Sequence, residues 1–262
     1  MGTVAAAQTV TPIRSVTTSH PKPVLRDVSS APLLCSTCTL RQICMPVGLE
    51  PDAMRLLEEL VTTRIRYRKG DTLFRAGDRF TALYAIRSGS CKTVLLTEDG
   101  RDQVSGYHMP GDIIGTDGIG TGSHDCQAIA LEDTEVCALP FDRLEELAHR
   151  NRQFQHHLYR VLSREIARER GIMLILGTMH ADQRLGAFLL DLSQRYRARG
   201  YSSCEFVLRM TREEIGSYLG LKLETVSRLF SRFGQEGLIE VQGRIIKLVD
   251  RLALKQLVDM SS

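Results

Sequence analysis

The sequence lacks the long apolar runs that a membrane protein or a secreted precursor needs. No uninterrupted apolar stretch reaches the roughly 18 residues that span a bilayer, and no apolar core follows a basic start at the N-terminus. Also missing are a Cys-x3-Cys-x2-Cys array, a G-x-G-x-x-G loop after a strand, and a convincing pair of nucleophile and base. We therefore expect a cytoplasmic protein with no membrane partner. An enzyme, such as an iron-sulfur oxidoreductase or a radical enzyme, is the disfavoured alternative.

The overall composition is that of an ordinary globular protein. Apolar residues make up 43% of the 262 residues and charged residues 25%, which allows two domains with cores of their own. The formal net charge is +3, which permits a polyanionic partner without requiring one. A nucleic-acid interface must therefore be identified from local pattern.

Three of the seven cysteines lie close together. Cys35, Cys38 and Cys44 form a Cys-x2-Cys-x5-Cys array whose short Ser and Thr spacers allow the segment to loop. In a reducing compartment, clustered thiols are more often metal or cluster ligands than disulfides. Thiolates suit iron-sulfur clusters or zinc, and both normally take a fourth ligand. We predict Cys126 as that ligand, because it ends a turn-rich loop from which a side chain can reach outward.

The remaining cysteines lie in segments of alternating apolar residues. Cys91, Cys137 and Cys204 are therefore predicted to be small buried hydrophobes. His124, two residues before Cys126, is predicted to be a solvated loop histidine, with a role as ligand or redox neighbour as the alternative.

Glycine turns at intervals of roughly ten residues, with alternating apolar residues between them, organise residues 61–140. This pattern predicts a β-roll or jelly-roll barrel. Residues 1–32 show no sustained period and are predicted to be a disordered leader, so the first folded domain covers residues 33–150. It includes a short helix at residues 51–60 and a second that starts at Asp142, with Glu145 as its capping-box partner.

One long helix is predicted over residues 152–179. Steps of three and four residues along it give the seam of a two-stranded coiled coil. The seam residues are Tyr159, Leu162, Ile166, Glu169, Met173 and Leu176. In a parallel homodimer Glu169 would approach its own symmetry mate, and Gly171 costs a helix interior about 1 kcal/mol relative to Ala. We predict a weakly pairing dimerisation helix at residues 151–180; the alternative is an ordinary buried helix with Glu169 turned outward.

A helix-turn-helix follows in residues 181–262. Thr211 and Glu214 form a capping box that opens a helix through Leu219. Gly220 and the next residue make the turn, and residues 224–233 form the second helix.

Two further elements flank this motif. An amphipathic helix over residues 180–199 precedes it and is stopped by Gly200. Residues 238–249, broken at Gln242 and Gly243, are predicted to be a two-stranded wing.

A β-roll, a long helix and a winged helix-turn-helix in this order resemble the cyclic-AMP receptor protein superfamily. The cysteine array with a lone Cys126 in the roll is similar to that of its FNR branch, the anaerobic transcription regulators. The resemblance covers about residues 33–250, and the matching phrases are PGDIIG at residues 110–115, MTREEIGSYLGL at 210–221 and ETVSRLFSRF at 224–233. It implies an α+β fold in which a β-roll sensor domain of the cyclic-nucleotide-binding kind is joined by a dimerisation helix to a DNA-binding domain.

The resemblance implies that Cys35, Cys38, Cys44 and Cys126 bind an oxygen-labile [4Fe-4S] cluster that stabilises a homodimer on palindromic double-stranded DNA. A zinc-stabilised regulator of the same fold, with the same thiolates but without oxygen sensing, is the alternative. The family also contacts RNA polymerase, and here the segments near residues 87–90 and 114–122 are candidates.

The resemblance further implies that Glu224, Ser227 and Arg228 read a TTGAT-type half-site. Arg228 can donate a bidentate pair to guanine, Glu224 can accept from a cytosine amino group, and Ser227 can touch a thymine edge. Lys222 stands where a Ser or Thr cap is expected and is predicted to face a phosphate, and Arg212 is included in the DNA-binding set. The alternative is a surface helix in which Glu224 pairs with Arg228.

A cyclic nucleotide is not expected as a ligand. Relatives that bind one carry a Glu after the PGxxxG turn and an Arg-Ser or Arg-Thr pair further on, to hold the ribose and the phosphate. The corresponding residues are Thr116, Cys126 and Gln127, so the phosphate would meet no cation.

Overall fold

A computed structural model describes residues 26–27, 34–44, 48–61, 63–96 and 102–259. The helices in these ranges are α1 Pro51–Leu60, α2 Phe141–Arg150, α3 Arg152–Thr178, α4 Ala181–Ala198, α5 Arg212–Leu219, α6 Leu223–Gln235 and α7 Arg251–Asp259, with a 3-10 turn at Thr116–Gly118. The strands are β1 Arg26–Asp27, β2 Thr63–Tyr67, β3 Thr72–Phe74, β4 Ala82–Ser88, β5 Cys91–Leu96, β6 Asp102–His108, β7 Ile113–Ile114, β8 Gln127–Ala130, β9 Thr134–Pro140, β10 Glu205–Val207, β11 Ile239–Gln242 and β12 Ile245–Leu248.

Most of the predicted leader, residues 1–32, lies outside the described residues. The exception is β1, which pairs with β2 in antiparallel register. Part of that segment therefore belongs to the roll.

Two antiparallel sheets form the N-terminal domain and confirm the predicted β-roll. Their strand orders are β1-β2-β9-β4-β7 and β3-β8-β5-β6. Ile86 and Val136 are fully buried between the sheets, and Leu83 is buried on the opposite face of β4 against the helices, as the alternation of strand faces predicts. Gly89 turns β4 into β5 with φ +79°, and a Cβ there would lie 2.5 Å from the carbonyl oxygen of Asp133, so the turn requires glycine.

The start of α2 differs from the sequence prediction. The helix begins at Phe141 with Pro140 as its N-cap residue and no side-chain cap bond, so the predicted capping box of Asp142 and Glu145 is wrong. Proline fixes φ near its helical value and is well suited to a helix start. Asp142 consequently lies inside the first turn, where its carboxylate accepts from the N–H of Arg143 at 2.9 Å.

The long helix α3 joins the two domains. Asn151 caps it by accepting the N–H of Phe154 at 2.9 Å. Its first half packs on the roll through Phe154, Leu158 and Val161, all buried. At 27 residues the helix is roughly 40 Å long, and its last turn reaches the C-terminal domain, where Leu176 approaches Gly220.

The C-terminal domain has the predicted winged helix-turn-helix. The wing strands β11 and β12 pair in register through a two-residue turn, with Gly243 at φ +61°. A third strand, β10, pairs with the other edge of β12; its three residues are too few for a recognisable alternation in the sequence. Helices α4 and α7 pack together behind the motif, where Val258 and Leu254 contact Gly186.

The two domains share one hydrophobic core. Val104 and Tyr107 of the roll belong to the same buried cluster as Phe188, Ile215 and Phe233 of the DNA-binding domain. The C-terminal domain is thus seated on strands β5 and β6 of its own chain.

No helix in the described part of the chain is both long enough and apolar enough to cross a membrane.

Candidate functional site

The cysteine segment, residues 34–44, folds as a run of tight turns. The N–H of Cys38 donates to the carbonyl of Cys35 at 3.2 Å, and that of Cys44 to Leu40 at 2.9 Å. The segment is tied to α1 because the N–H of Ser36 donates to the Glu58 carboxylate at 2.7 Å. These turns confirm that the short spacers let the array loop.

The three thiols of this segment open into one pocket together with a fourth cysteine, Cys137. Cys137 lies in β9, where it is paired with Arg64 of β2 and Ala85 of β4. The rest of the lining is apolar with two guanidinium groups: Leu40, Leu57, Val61, Ala85, Ile86, Leu139, Arg41 and Arg87. The roll therefore supplies one thiol and the preceding segment supplies three.

Cys126 does not line this pocket. It is only 7% exposed and belongs to a separate core cluster with Phe74, Cys91 and Ile114. Its Sγ lies 3.5 Å from Oδ2 of Asp117, to which it donates. The expectation that this side chain reaches outward is wrong, because the Asp117 carboxylate draws the end of the loop into the roll.

Of the three cysteines predicted to be buried, one is fully buried, one is half-buried and one is exposed. Cys91 is fully buried, as predicted. Cys204 is exposed, contrary to the prediction, because it lies just before the short strand β10. Cys137 is half-buried and faces the thiol pocket. Strand alternation indicates that Cys137 points to one face of its sheet, but it contains no information about what covers that face.

Burial raises the pKa of two of the pocket thiols, those of Cys35 and Cys137, and so favours their protonated form. It raises the pKa of Cys35 to about 12, and the neighbouring Cys137 and Cys38 add to the effect. Burial also raises the pKa of Cys137, against the opposing charges of Arg64 and Arg87. A metal or cluster bound here must displace these protons, so its binding would be pH-dependent.

The donor set fits an iron-sulfur cluster. Four thiols and no carboxylate or imidazole line the pocket, and soft thiolates are the ligands that such clusters and zinc prefer. A single tetrahedral zinc requires four sulfurs within about 4 Å of one another. Within the described ranges no three His, Cys, Asp or Glu side chains are so arranged around one ion. A four-iron cluster would be held by the same four thiolates.

The predicted seam of α3 is largely uncovered in the single chain. Tyr159, Ile166 and Met173 are 56%, 49% and 72% exposed, and Glu169 is exposed between the last two. Leu162 is half-buried against the roll core.

The last seam position behaves differently from the others. Leu176 is half-buried next to Gly220 of the helix-turn-helix, and its carbonyl accepts from Arg184 at 2.8 Å. Leu176 thus contributes to the contact between α3 and the DNA-binding domain.

The helix-turn-helix has the local geometry that its sequence predicts. The N–H of Glu214 donates to Thr211 Oγ1 at 3.1 Å, and the N–H of Thr211 donates to the Glu214 carboxylate at 2.6 Å. Gly220 makes the turn at φ +64°. These bonds fix the start of α5 and the direction in which α6 leaves it.

The predicted base-reading residues lie together on the first two turns of α6. Glu224, Ser227 and Arg228 are all exposed, and Glu224 and Arg228 form no ion pair with each other in the described structure. Lys222 is the N-cap residue; it is exposed and makes no side-chain cap bond. Four polar side chains are therefore free on the outer end of this helix.

Arg212 lies inside the motif. Its Cζ is 3.1 Å from the centre of the Phe230 ring, and burial lowers the pKa of its guanidinium to about 10. This cation–π contact holds α5 against α6.

The turn-rich loop before β8 is closed by its own carboxylate. Asp117 accepts the N–H of Asp125 at 2.8 Å and lies 3.2 Å from Nδ1 of His124. His124 is buried and stacks on Phe74 with ring centres 3.8 Å apart. The prediction of a solvated histidine is wrong, because the aromatic ring and the carboxylate hold it inside the roll.

Known proteins of similar sequence agree with this architecture. The protein-family model of the cyclic nucleotide-binding domain matches residues 64–151, and the family model of the Crp-like helix-turn-helix domain matches residues 183–257. The chain is 48% identical over 228 residues to the transcriptional regulatory protein btr of Bordetella pertussis, covering 87% of this chain and 94% of that protein. It is 45% identical to the transcriptional activator protein Anr of Pseudomonas protegens, over 84% of this chain and 90% of that protein.

Two further relatives extend the comparison. The fumarate and nitrate reduction regulatory protein of Escherichia coli is 40% identical, over 90% of this chain and 95% of that protein. The solved structure of FixK2 from Bradyrhizobium japonicum superposes with a TM-score of 0.69 at 32% identity, covering 74% of this chain and 96% of that one. The curated relatives are regulators of transcription and not enzymes. On these matches over most of its length, the chain belongs to the CRP/FNR superfamily of DNA-binding transcription regulators, as a member of the FNR type.

Proposed function

We propose that the protein is a cytoplasmic, oxygen-responsive transcription regulator that binds palindromic DNA as a homodimer. Cys35, Cys38, Cys44 and Cys137 hold a [4Fe-4S] cluster, with Cys137 in place of the Cys126 predicted from sequence. The observation that carries this proposal is the pocket into which the four thiols open from two separate parts of the chain.

A bound cluster would supply four iron–thiolate bonds, which would be lost if oxygen oxidised and dismantled it. Through these thiols the cysteine segment is held against β9. Ile43, within the segment, packs so closely on the roll that a Cβ on Gly111 would lie 2.8 Å from its Cγ1. Cys44 borders a second, polar pocket together with Val161 and Glu165 of α3. An ordered segment therefore supports the flank of the long helix.

Pairing of two chains takes place along α3. The exposed side chains of Tyr159, Ile166 and Met173 gain from being covered, while the two copies of Glu169 repel each other. The contact is thus weak by itself and depends on how well α3 is held. A two-fold axis along this seam sets two recognition helices roughly 34–36 Å apart, one in each of two successive major grooves.

The exposed side chains of α6 contact the DNA bases. Arg228 donates to guanine and Glu224 accepts from cytosine, while Ser227 touches a thymine of a TTGAT-type half-site. Lys222 at the helix N-terminus faces a backbone phosphate.

RNA polymerase is a further partner in this proposal. Of the two segments predicted for that contact, residues 120–122 form a continuous exposed run at the tip of a loop, whereas Ser88 is the one exposed residue of the segment 87–90. We therefore favour the tip at residues 120–122 as the polymerase contact.

A cyclic nucleotide has no part in the proposed mechanism. Thr116 and Gln127 carry no charge for a ribose or a phosphate. The Asp117 carboxylate takes up N–H groups of the loop, and its negative charge would repel a phosphate.

The decisive experiment compares anaerobically purified wild-type protein with Cys137→Ser and Cys126→Ser. We expect the wild type and Cys126→Ser to absorb near 400 nm, to lose this band in air, and to contain iron and sulfide. Cys137→Ser should lack all three properties. The two substitutions are matched in chemistry and both remove a thiol from the roll, so the difference between them reports the ligand set.

Sedimentation of the same samples tests the coupling to assembly. The wild type and Cys126→Ser should be dimeric without air and largely monomeric after exposure, whereas Cys137→Ser should be monomeric throughout. A colourless, zinc-containing, air-stable wild type would favour the zinc-stabilised regulator and refute oxygen sensing. Loss of the band in Cys126→Ser alone would restore the ligand set predicted from sequence.

A further inference from the structure

A buried carboxylate connects three parts of the chain that are distant in sequence. Asp112 lies in the turn between β6 and β7 and is 7% exposed. It accepts from Arg168 of α3 at 2.8 Å, from Arg195 of α4 at 2.6 Å and from Arg199, the C-cap residue of α4, at 2.8 Å. The N–H of Met109 completes its coordination at 2.7 Å. The roll, the dimerisation helix and the first helix of the DNA-binding domain therefore meet at one side chain.

The arginines make further bonds to the same turn. Arg195 donates to the carbonyl of Tyr107 at 2.8 Å, and Arg199 donates to that of Pro110 at 2.6 Å. Arg195 also lies over the Tyr107 ring at 5.5 Å. A guanidinium group that donates to two or more acceptors at once has little rotational freedom, so α4 is held in one orientation against the roll.

A second ion pair fixes the other side of the DNA-binding domain. Lys92 of β5 lies 2.6 Å from the carboxylate of Glu214 in α5, and both side chains are more than four-fifths buried. Nearby, the hydroxyl of Ser217 accepts the N–H of Val104 at 2.9 Å, and its carbonyl accepts from Gln103. Two anchors on different helices prevent rotation about either one alone.

The position of the recognition helix follows from these anchors. Helix α6 packs on α5 and α4, and both of these are bound to the roll. Arg168 ties the same carboxylate to α3 one residue before Glu169 of the proposed seam. Asp112 thus provides one connection from α3 to the recognition helix, in addition to the direct contact of Leu176 and Arg184 with the helix-turn-helix.

We propose that Asp112, with Lys92 as the second anchor, is a positioning residue for DNA recognition. It holds the DNA-binding domain on the roll of its own chain and so sets the distance between the two recognition helices of a dimer. This inference rests on the proposed pairing along α3, and it does not depend on the identity of the group held by the thiols.

The test is a series of DNA probes in which two half-sites are separated by increasing numbers of base pairs, with a single half-site as reference. Full-length, anaerobically purified protein is titrated onto each probe by fluorescence anisotropy. Simultaneous engagement of two sites typically raises affinity by about 100-fold or more, and the gain is lost when geometry forbids it. We therefore expect wild-type affinity to fall by about that factor when the spacing shifts by half a helical turn, about 5 base pairs.

Asp112→Asn and Lys92→Gln should flatten this profile, so that the best and worst spacings differ by less than about ten-fold. Asp191→Asn is the matched control. Asp191 lies 3.6 Å from the same Arg195, but it is half-exposed and on the same helix, so its removal should leave the wild-type spacing profile. A purely stabilising role for Asp112 would lower affinity by one factor at every spacing.

The outcomes separate this inference from the proposed function. Parallel profiles for wild type, Asp112→Asn and Lys92→Gln would overturn the positioning role while leaving the dimer intact. A wild type without any spacing preference would overturn both the positioning role and pairing along α3. If thermal melting shows that Asp112→Asn does not fold, Lys92→Gln decides alone: a flattened profile supports the inference and a wild-type profile overturns it.

Discussion

Glu169 is the acidic residue among the proposed contact positions of α3, and neutralising it should strengthen the dimer in air. In the single chain it is exposed between Ile166 and Met173, two apolar side chains that would be covered on pairing. Its charge would then face its own symmetry mate in a partly dehydrated contact. Glu169→Gln removes this charge and keeps the size of the side chain.

The size of the effect follows from the geometry of paired helices. Helix axes in contact are about 8–10 Å apart, which leaves two equivalent seam carboxylates about 7 Å apart. Their repulsion is about 0.6 kcal/mol in water and about 2.4 kcal/mol at an effective dielectric constant of 20. Since about 1.4 kcal/mol corresponds to a factor of ten, the dissociation constant of the dimer should fall by about 3-fold to 50-fold.

Sedimentation equilibrium in air, over a range of protein concentrations, measures this constant. Glu169→Asp is the control, because it retains the charge and should remain as weakly paired as the wild type. Salt gives a second check: at about 1 M ionic strength the screening length is about 3 Å, so the gap between wild type and Glu169→Gln should narrow. A dissociation constant that Glu169→Gln leaves unchanged at low salt would refute the charge argument.

Three further predictions concern DNA reading and stability. Arg228→Ala should lower the affinity for each half-site by about 10- to 100-fold and relax base preference at one position of it, since a bidentate contact contributes about 1–3 kcal/mol. In competition binding, Lys222→Ala should instead weaken binding to all sequences alike. Thr211→Ala removes the 3.1 Å cap bond to the N–H of Glu214 and should lower the free energy of unfolding in urea by about 1 kcal/mol, whereas Thr211→Ser should not. Burial alone would raise the pKa of Asp112, but its three arginine partners hold that pKa well below the usual range. The ionised carboxylate therefore stabilises the folded protein above about pH 4, and this stabilisation is lost as the pH falls through the pKa of the folded state. Urea unfolding between pH 5 and pH 3 should show a smaller acid loss in Asp112→Asn than in the wild type.

Local rules were sufficient wherever a feature depends on a few neighbouring residues. The capping box at Thr211, the turn at Gly220 and the wing turn at Gly243 are fixed by hydrogen bonds and backbone angles within about four positions. The same holds for the turns of the cysteine segment. Such features are visible in a single sequence because no distant partner decides them.

The fourth thiol could not be identified in this way. Cys126 and Cys137 differ in what packs against them, and that depends on Asp117 for one and on the register of β9 with β2 and β4 for the other. Loop character favoured Cys126, yet the loop folds inward. The alternation of residues along a strand predicts which face of the sheet a side chain lies on, but not which residues pack against that face.

The contacts of Asp112 could not be predicted from the sequence for a related reason. Its partners Arg195 and Arg199 are 83 and 87 residues away. They lie at the C-terminal end of α4, and the period of apolar residues predicts that helix without predicting the partners of its arginines. Arginines beside an amphipathic face usually point to solvent. Only the seating of α4 on the roll turns them inward.

In the proposed function, cluster binding controls dimer formation. This requires that the attachment of residues 34–44 to the roll and the pairing of two α3 helices have similar free energies. The described bonds within residues 34–44 are mostly local turns, and the hydrogen bond from Ser36 to Glu58 and the contact of Ile43 with Gly111 attach the segment to the rest of the roll. Moving an equilibrium from 1:99 to 99:1 takes about 5.5 kcal/mol. A seam made of large apolar residues alone would pair whether or not the segment is ordered, and a seam with several charges would never pair. A single acid that costs about 0.6–2.4 kcal/mol keeps the free energy of pairing close to zero. Whether the eleven residues 34–44 are ordered can then determine whether the dimer forms.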